Sequence, residues 1–202
     1  MQKAETPSRL WWCPTGPFAF LPIHAAGIYD AEECESVADY VVSSYTLTLS
    51  TLLTPPPFTA NPFKMMVVIQ PQTPGYPPLP HCFDELCKVE QCVPSHCLVR
   101  LGIPTEPASV DRVFFHLSDA SLVHFACHGK QDERSPLESA LMLEDGWLKV
   151  SRIMSQPMPN ASFAFLSVCQ AAMGDETLPD EAIHLAAALL FAGFHGAVAT
   201  MW

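Results

Sequence analysis

Two apolar runs constrain the fold of this chain more than any other feature, because each stops abruptly beside a residue that can do chemistry. The run LVHFACHGK spans residues 122–130 and ends at His128 and Gly129. The run ASFAFLSVCQAAMGD spans residues 161–175 and reaches Cys169 before a series of small residues. Short apolar runs of this kind are typical of buried strands in a parallel sheet, and open α/β folds keep their chemistry at the carboxyl ends of such strands.

A histidine and a cysteine at the ends of two adjacent strands form the minimal arrangement for nucleophilic catalysis by a thiol. A thiol is a weak nucleophile until a neighbouring base favours the thiolate, and His128 could supply that base to Cys169. Each residue also has a plainer interpretation. His128 could be a hydrogen-bonded histidine at a strand end, and Cys169 could be a small buried hydrophobe among eight cysteines. The residues alone leave both interpretations open.

Composition indicates a core-rich domain and argues against nucleic acid as a partner. The chain has 202 residues, of which 49% are hydrophobic and 15% are charged, so a single domain can bury a sizeable core. A net charge of −11 would repel the phosphate backbone of nucleic acids. Asp175 belongs to an acidic group after Cys169, which is either a solvated face or a means of attracting a cationic substrate.

Targeting signals and metal motifs are missing from the sequence pattern. No apolar run approaches the roughly 20 residues of a membrane span, and the N-terminal MQKAETPSRL lacks the plan of a secretory signal. We therefore expect a cytoplasmic protein with reduced thiols. Cysteines recur at positions 82, 87, 92 and 97 without the C-x-x-C pairs of structural zinc sites, which favours a partly helical segment over a metal site. No other pattern calls for a cofactor.

The front of the chain predicts short elements separated by loops. Residues 9–27 place a Pro-Thr-Gly-Pro turn between two apolar-aromatic runs, which predicts a hairpin. Apolar residues at helical spacing predict a helix over residues 34–42. Prolines predict loops around residues 54–80, and these loops bracket a short buried strand, KMMVVIQ, at residues 64–70.

The remainder predicts alternating strands and helices with parallel pairing and right-handed crossovers. A polar helix is expected at residues 83–91, and a second helix begins after Ser109 as its cap. Glu-Asp-Gly between apolar flanks predicts a hairpin within residues 139–154. Near the end, Asp180 is a plausible cap for an Ala/Leu-rich helix that precedes a final apolar strand.

Several sequence blocks together resemble a CHAT domain of the fungal type. They are WWCPTGPFAFLPIHAAG, DYVVSSYTLTLSTLL, VHFACHG, PLESALMLEDGWL, AFLSVCQAAMGD and DEAIHLAAALLFAGFHGAVATMW, and they cover nearly the whole chain. The resemblance implies a caspase-like cysteine peptidase, with a mostly parallel central α/β sheet, flanking helices and peripheral hairpins. CHAT domains are often attached to tetratricopeptide repeats, so such repeats are implied as partners beside a protein substrate.

The resemblance also implies roles for particular residues. His128 and Cys169 would form the catalytic dyad, and the N–H groups of Gly129 and Cys169 would stabilise the oxyanion. Gly129 could instead be only a strand terminator. Asp175 is a candidate for substrate binding, and His124, which precedes His128 on the same strand face, is expected to be a buried structural histidine.

The resemblance further suggests where this chain departs from its relatives. Family members continue past the equivalent of ATMW into an acidic loop, a helix and a strand that help to form the specificity pocket. The expectation is therefore a single CHAT domain over residues 1–202, truncated at its C-terminus. Two functions stay open: a cysteine endopeptidase acting in regulated cell death or non-self recognition, and a weak or inactive CHAT fold that serves as a protein-binding or regulatory module.

Overall fold

Packing divides the described chain into two compact units, each with sheets of its own. The computed structural model describes residues 6–30, 34–53, 62–132, 135–168 and 185–199. Described residues up to 53 belong to the first unit, and those from 62 onward belong to the second. His128 and Gly129 both lie in the second unit.

The first unit is built from short strands joined by turns. Strand β1 (Ser8–Trp12) pairs in parallel with β4 (Val41–Tyr45), while β2 (Gly27–Tyr29) and β3 (Cys34–Ser36) form an antiparallel pair. A short helix, α1 (Leu49–Leu53), follows β4.

The hairpin predicted at residues 9–27 is wrong. Strand β1 takes β4 as its partner rather than the segment that follows it. The Pro-Thr-Gly-Pro segment leads into a 3₁₀ helix, Gly16–Phe20, in which Gly16 has a φ of 56° and a proline stands in the first turn. Glycine tolerates this left-handed backbone and proline suits a helix start, so the segment opens a helical turn instead of reversing a strand.

The helix predicted at residues 34–42 is also wrong. A 3₁₀ turn at Val37–Asp39 separates β3 from β4. Ser36 and Asp39 bracket that turn in a reciprocal capping box, in which the Asp39 carboxylate accepts from the Ser36 N–H at 2.8 Å. This local chemistry ends β3 before the turn, and the β-branched valines of β4 then favour an extended backbone.

The second unit contains the sheet that organises the candidate site. Its described strands, in chain order, are β5 (Met65–Ile69), β6 (Leu98–Leu101), β7 (Leu122–Ala126), β8 (Gly129–Lys130), β9 (Ala140–Met142), β10 (Trp147–Lys149), β11 (Phe163–Ser167) and β12 (Gly196–Ala199). A parallel sheet has the spatial order β12-β11-β7-β5-β6, and β8, β9 and β10 form a smaller antiparallel sheet. The predicted mixed α/β fold with a mostly parallel sheet is confirmed, as is the predicted hairpin at β9 and β10.

Helices cover both faces of the parallel sheet. They are α2 (Cys82–Cys92), α3 (Val110–Leu117), α4 (Val150–Met154) and α5 (Leu185–Ala192). In β5 every residue is buried, and alternate residues join opposite cores: Met66 and Val68 pack in the cluster that includes residues of α3, α4 and α5, and Met65, Val67 and Ile69 pack with α2. Burial on both faces explains why the strand is apolar throughout. Helix α2 confirms the predicted helix, whereas Asp180 lies outside the described residues.

The N-terminus of α3 is capped by a side chain of the β9–β10 hairpin rather than by its own N-cap residue. Ser109 occupies the N-cap position, as predicted, but its side chain makes no capping hydrogen bond. The Val110 N–H instead donates to Oδ1 of Asp145 at 2.8 Å. Asp145 lies in the turn between β9 and β10, so the small antiparallel sheet supplies the acceptor that the first turn of α3 needs.

Gly102 offers a direct test of packing at the carboxyl edge of the sheet. Its φ is 92°, and a Cβ atom there would lie 1.7 Å from the Ile69 carbonyl oxygen. Gly75 has a similar φ of 83°, but in the part of the chain that the structure describes no atom beyond its chain neighbours lies within 4 Å of the corresponding position. We expect Gly75→Ala to lower the free energy of unfolding by about 1–2 kcal/mol, the cost of a left-handed backbone, and Gly102→Ala to lower it considerably more. Urea unfolding followed by circular dichroism measures both, and equal losses would contradict the packing described here.

Candidate active site

The two strands that lead to the predicted dyad are neighbours in the sheet. β7 and β11 pair in parallel, with Ala126 opposite Ser167. His128 follows Ala126 by two residues, and Cys169 follows Ser167 by the same number. The prediction that the two apolar runs form adjacent parallel strands is confirmed. Cys169 itself lies outside the described residues, as does Asp175, so the dyad distance and the role of Asp175 stay predictions.

His128 is held by the loop that connects β5 to α2. Its Nε2 atom lies 2.8 Å from the carbonyl oxygen of Pro77, and its ring packs against Tyr76 with the ring centroids 5.1 Å apart. A carbonyl oxygen can only accept, so Nε2 carries the proton of the neutral imidazole and donates it. Nδ1 is then the unprotonated nitrogen, which can accept a proton from a thiol. The histidine is 9% exposed, so the ring keeps this orientation within packed surroundings.

Proline content makes this loop stiff, and backbone hydrogen bonds fix it to the sheet. The Gln70 N–H donates to the Ala126 carbonyl at 2.9 Å, and the Leu79 N–H donates to the Pro71 carbonyl at 2.9 Å. Each proline fixes its own φ and restricts the residue before it. The sequence predicted a proline-rich loop here but not its function, because a backbone carbonyl that orients a histidine leaves no side-chain pattern. The adjacent Pro77 and Pro78, soon after a buried strand, are the signal that could have indicated a rigid support.

Gly129 presents its N–H away from the small antiparallel sheet. The Met142 N–H donates to the His128 carbonyl at 2.8 Å, and Gly129 stands opposite Leu141. This bond flanks the pair, which makes Gly129 and Leu141 a non-hydrogen-bonded pair of the antiparallel ladder. Gly129 begins β8 instead of merely ending β7. The pairing therefore directs the Gly129 N–H away from β9, and its role as an oxyanion donor stays a prediction.

A polar cluster of Glu85, His124 and Ser167 connects α2 with β7 and β11. One carboxylate oxygen of Glu85 lies 2.7 Å from Nε2 of His124, and the other accepts from the Ser167 hydroxyl at 3.0 Å. His124 is 8% exposed and stacks on Phe165 with the ring centroids 5.0 Å apart. The prediction of a buried structural histidine is confirmed. Glu85 was missed because its partners are 39 and 82 positions away in the sequence.

Cys127 precedes His128 directly but is unsuited to nucleophilic attack. It is 1% exposed, and burial raises the pKa of its thiol. Burial, with a smaller effect of the Glu85 carboxylate, also raises the pKa of the Cys82 thiol, which lies 3.3 Å from the Ala126 carbonyl oxygen. Both thiols therefore stay protonated near neutral pH.

The cysteines at five-residue spacing lie along a helical segment, as predicted. Cys82, Cys87 and Cys92 belong to α2, with Cys82 buried and the other two exposed, and Cys97 ends a 3₁₀ turn. Among the side chains that the structure describes, no group of three or more His, Cys, Asp or Glu residues could hold a metal ion. Within the same part of the chain, every helix is too short or too polar to cross a membrane.

Comparison with known proteins agrees with this architecture. A parallel sheet covered by helices, with a histidine at the carboxyl end of a central strand, is consistent with a caspase-like α/β protein. The family model of the CHAT domain matches residues 1–202, so the chain belongs to the CHAT family. CHAT domains are caspase-like and related to proteases. A search of curated proteins found no match.

Buried and exposed cysteines should differ in their rate of alkylation. We expect iodoacetamide at pH 8 to modify exposed Cys87 and Cys92 in the folded protein, and to leave Cys82 and Cys127 unmodified until the protein is unfolded. Peptide mapping by mass spectrometry measures each site. Modification of Cys127 in the folded protein as fast as that of Cys87 would contradict the burial and the raised pKa.

The Glu85 cluster should contribute more to stability than a surface ion pair on the same helix. We expect Glu85→Ala to lower the free energy of unfolding by about 1–3 kcal/mol, because His124 and Ser167 lose their acceptor. The matched control is Glu90→Ala, which removes an exposed pair with Arg100 and should cost about 0.2–1 kcal/mol. Chemical denaturation measures both variants. A cost for Glu85→Ala no larger than that for Glu90→Ala would show that the cluster is not structural.

Proposed function

We propose that this chain is a cysteine endopeptidase that hydrolyses a peptide bond in a protein partner, with His128 as the general base and Cys169 as the nucleophile. The observation that carries the proposal is the hydrogen bond from His128 to the Pro77 carbonyl, at the end of the strand beside the one that leads to Cys169. Membership of a protease-related family supports the same reaction. We further propose that the reaction serves regulated cell death or non-self recognition in the cytoplasm.

The reaction begins with proton transfer within the dyad. Nδ1 of His128 accepts the proton of the Cys169 thiol, and the thiolate attacks the carbonyl carbon of the scissile peptide. The electron pair of the C=O bond moves to oxygen, and the N–H groups of Gly129 and Cys169 donate to this oxyanion. The imidazolium then protonates the departing amine as the C–N bond breaks, which leaves a thioester.

Hydrolysis of the thioester returns the enzyme to its starting state. His128 accepts a proton from a water molecule, whose oxygen attacks the acyl carbon. Collapse of the second tetrahedral intermediate breaks the C–S bond and releases the carboxylic acid, and the sulfur regains its proton from His128. Throughout this cycle the Pro77 carbonyl accepts from Nε2–H. It keeps the reactive nitrogen in place and stabilises the positive charge of the imidazolium when that charge forms.

The proposal is tested by the alkylation rate of Cys169 at pH 7. A free thiol is only a few per cent ionised at this pH, so activation by a base can raise its rate by about ten- to thirtyfold. We expect His128→Ala to remove this gain. The control variant is His81→Ala, whose side chain is 84% exposed and pairs with Asp84; it should leave the rate unchanged. Mass spectrometry of the Cys169 peptide gives the rate, and equal rates in the parent and His128→Ala would favour a binding module over a peptidase.

A further inference from the structure

A cleft of about 430 Å³, lined by both polar and apolar side chains, adjoins the candidate site. It is lined by Gln70, Gln72, Thr73, Pro74, Tyr76, Pro78 and Glu144. Tyr76 is the residue whose ring packs against His128, and Pro77, between two lining residues, bears the carbonyl that holds Nε2. A volume of this size is within the range of about 300–1,000 Å³ that is usual for ligand sites. The loop that orients the histidine thus also lines this cleft.

The cleft offers several groups that can accept a hydrogen bond. Among the described residues that line the cleft, Glu144 alone carries a formal charge at neutral pH. Gln70 is 7% exposed, and its Nε2 already donates to the Gln72 carbonyl at 2.6 Å, so Oε1 is the atom of this amide that remains to accept. The Thr73 hydroxyl is buried and has no hydrogen-bond partner among the described residues. A buried polar atom without a partner is costly, so this hydroxyl marks a point of the cleft wall where a further hydrogen bond would be favourable.

We propose that this cleft binds an arginine side chain of the protein substrate. A planar guanidinium has five N–H donors, which suit a carboxylate, an amide oxygen and a hydroxyl together. It also packs well on an aromatic face such as that of Tyr76, and it is less strongly hydrated than the ammonium group of lysine. The net charge of −11 favours the approach of a basic segment. The role as a substrate site rests on the proposed peptidase function, whereas binding of the guanidinium does not.

The first experiment measures binding with two matched probes and needs no catalysis. N-acetyl-arginine methylamide and its neutral isostere N-acetyl-citrulline methylamide are titrated into the 202-residue protein, with saturation-transfer NMR as the readout. We expect the arginine probe to bind about tenfold more tightly than the citrulline probe, as charge-assisted hydrogen bonds imply. Glu144→Gln should abolish this difference, and Glu90→Gln, which removes the same charge elsewhere, should not. Equal binding of the two probes, no binding of the arginine probe, or an unchanged preference in Glu144→Gln would overturn the inference.

The second experiment asks whether the cleft selects substrates. Fluorogenic peptides that differ only in arginine or citrulline at one position should show a higher kcat/KM for arginine at one such position. Glu144→Gln should remove the preference. Binding of the arginine probe combined with equal cleavage of all peptide pairs would overturn the assignment as a substrate site. Absence of any cleavage would count against the peptidase function, and the probe titration would still decide whether the cleft recognises a guanidinium.

Discussion

The hydrogen bond between Nε2 of His128 and the Pro77 carbonyl oxygen, 2.8 Å long, is the interaction on which the candidate site depends. It fixes the tautomer of the imidazole and so decides which nitrogen can act as a base. A side-chain carboxylate could do the same, but here the acceptor is a backbone oxygen in a loop stiffened by prolines. The orientation of the base therefore depends on the conformation of residues 70–80, and anything that moves this loop also moves the histidine.

The parallel sheet explains why these groups meet. Every residue of β5 is buried, and β7 lies between β5 and β11, so the carboxyl ends of the three strands share one edge. The loop after β5 contributes Pro77, β7 leads to His128, and β11 leads toward Cys169. The Glu85 carboxylate connects α2 to β7 and β11 through His124 and Ser167, close to where these strands end. Helices cover both faces of this sheet, so its polar groups gather at the carboxyl ends of the strands.

Sequence patterns predicted secondary structure best in segments that are fully buried or whose pattern repeats within a few residues. The central strands and α2 were predicted because a segment buried on both faces, or an amphipathic helix, leaves a continuous pattern in the sequence. The first unit was predicted poorly because β1 and β4 are short and pair across more than 30 residues, so nothing nearby in the sequence indicates the partner. Pro77 and Glu85 were missed for a related reason. A backbone carbonyl has no residue signature, and a buried carboxylate on a helix resembles any surface acid until its distant partners are known.

The protonation state of the His128 ring tests the central claim most directly. Nitrogen-15 NMR of the histidine side chains, with the His128 signals assigned by their loss in His128→Ala, distinguishes a protonated from an unprotonated ring nitrogen. Under conditions in which the imidazole is neutral, we predict a protonated Nε2 and an unprotonated Nδ1. A protonated Nδ1 would contradict the account, because Nε2 could not then donate to the Pro77 carbonyl and Nδ1 could not accept a proton from the cysteine.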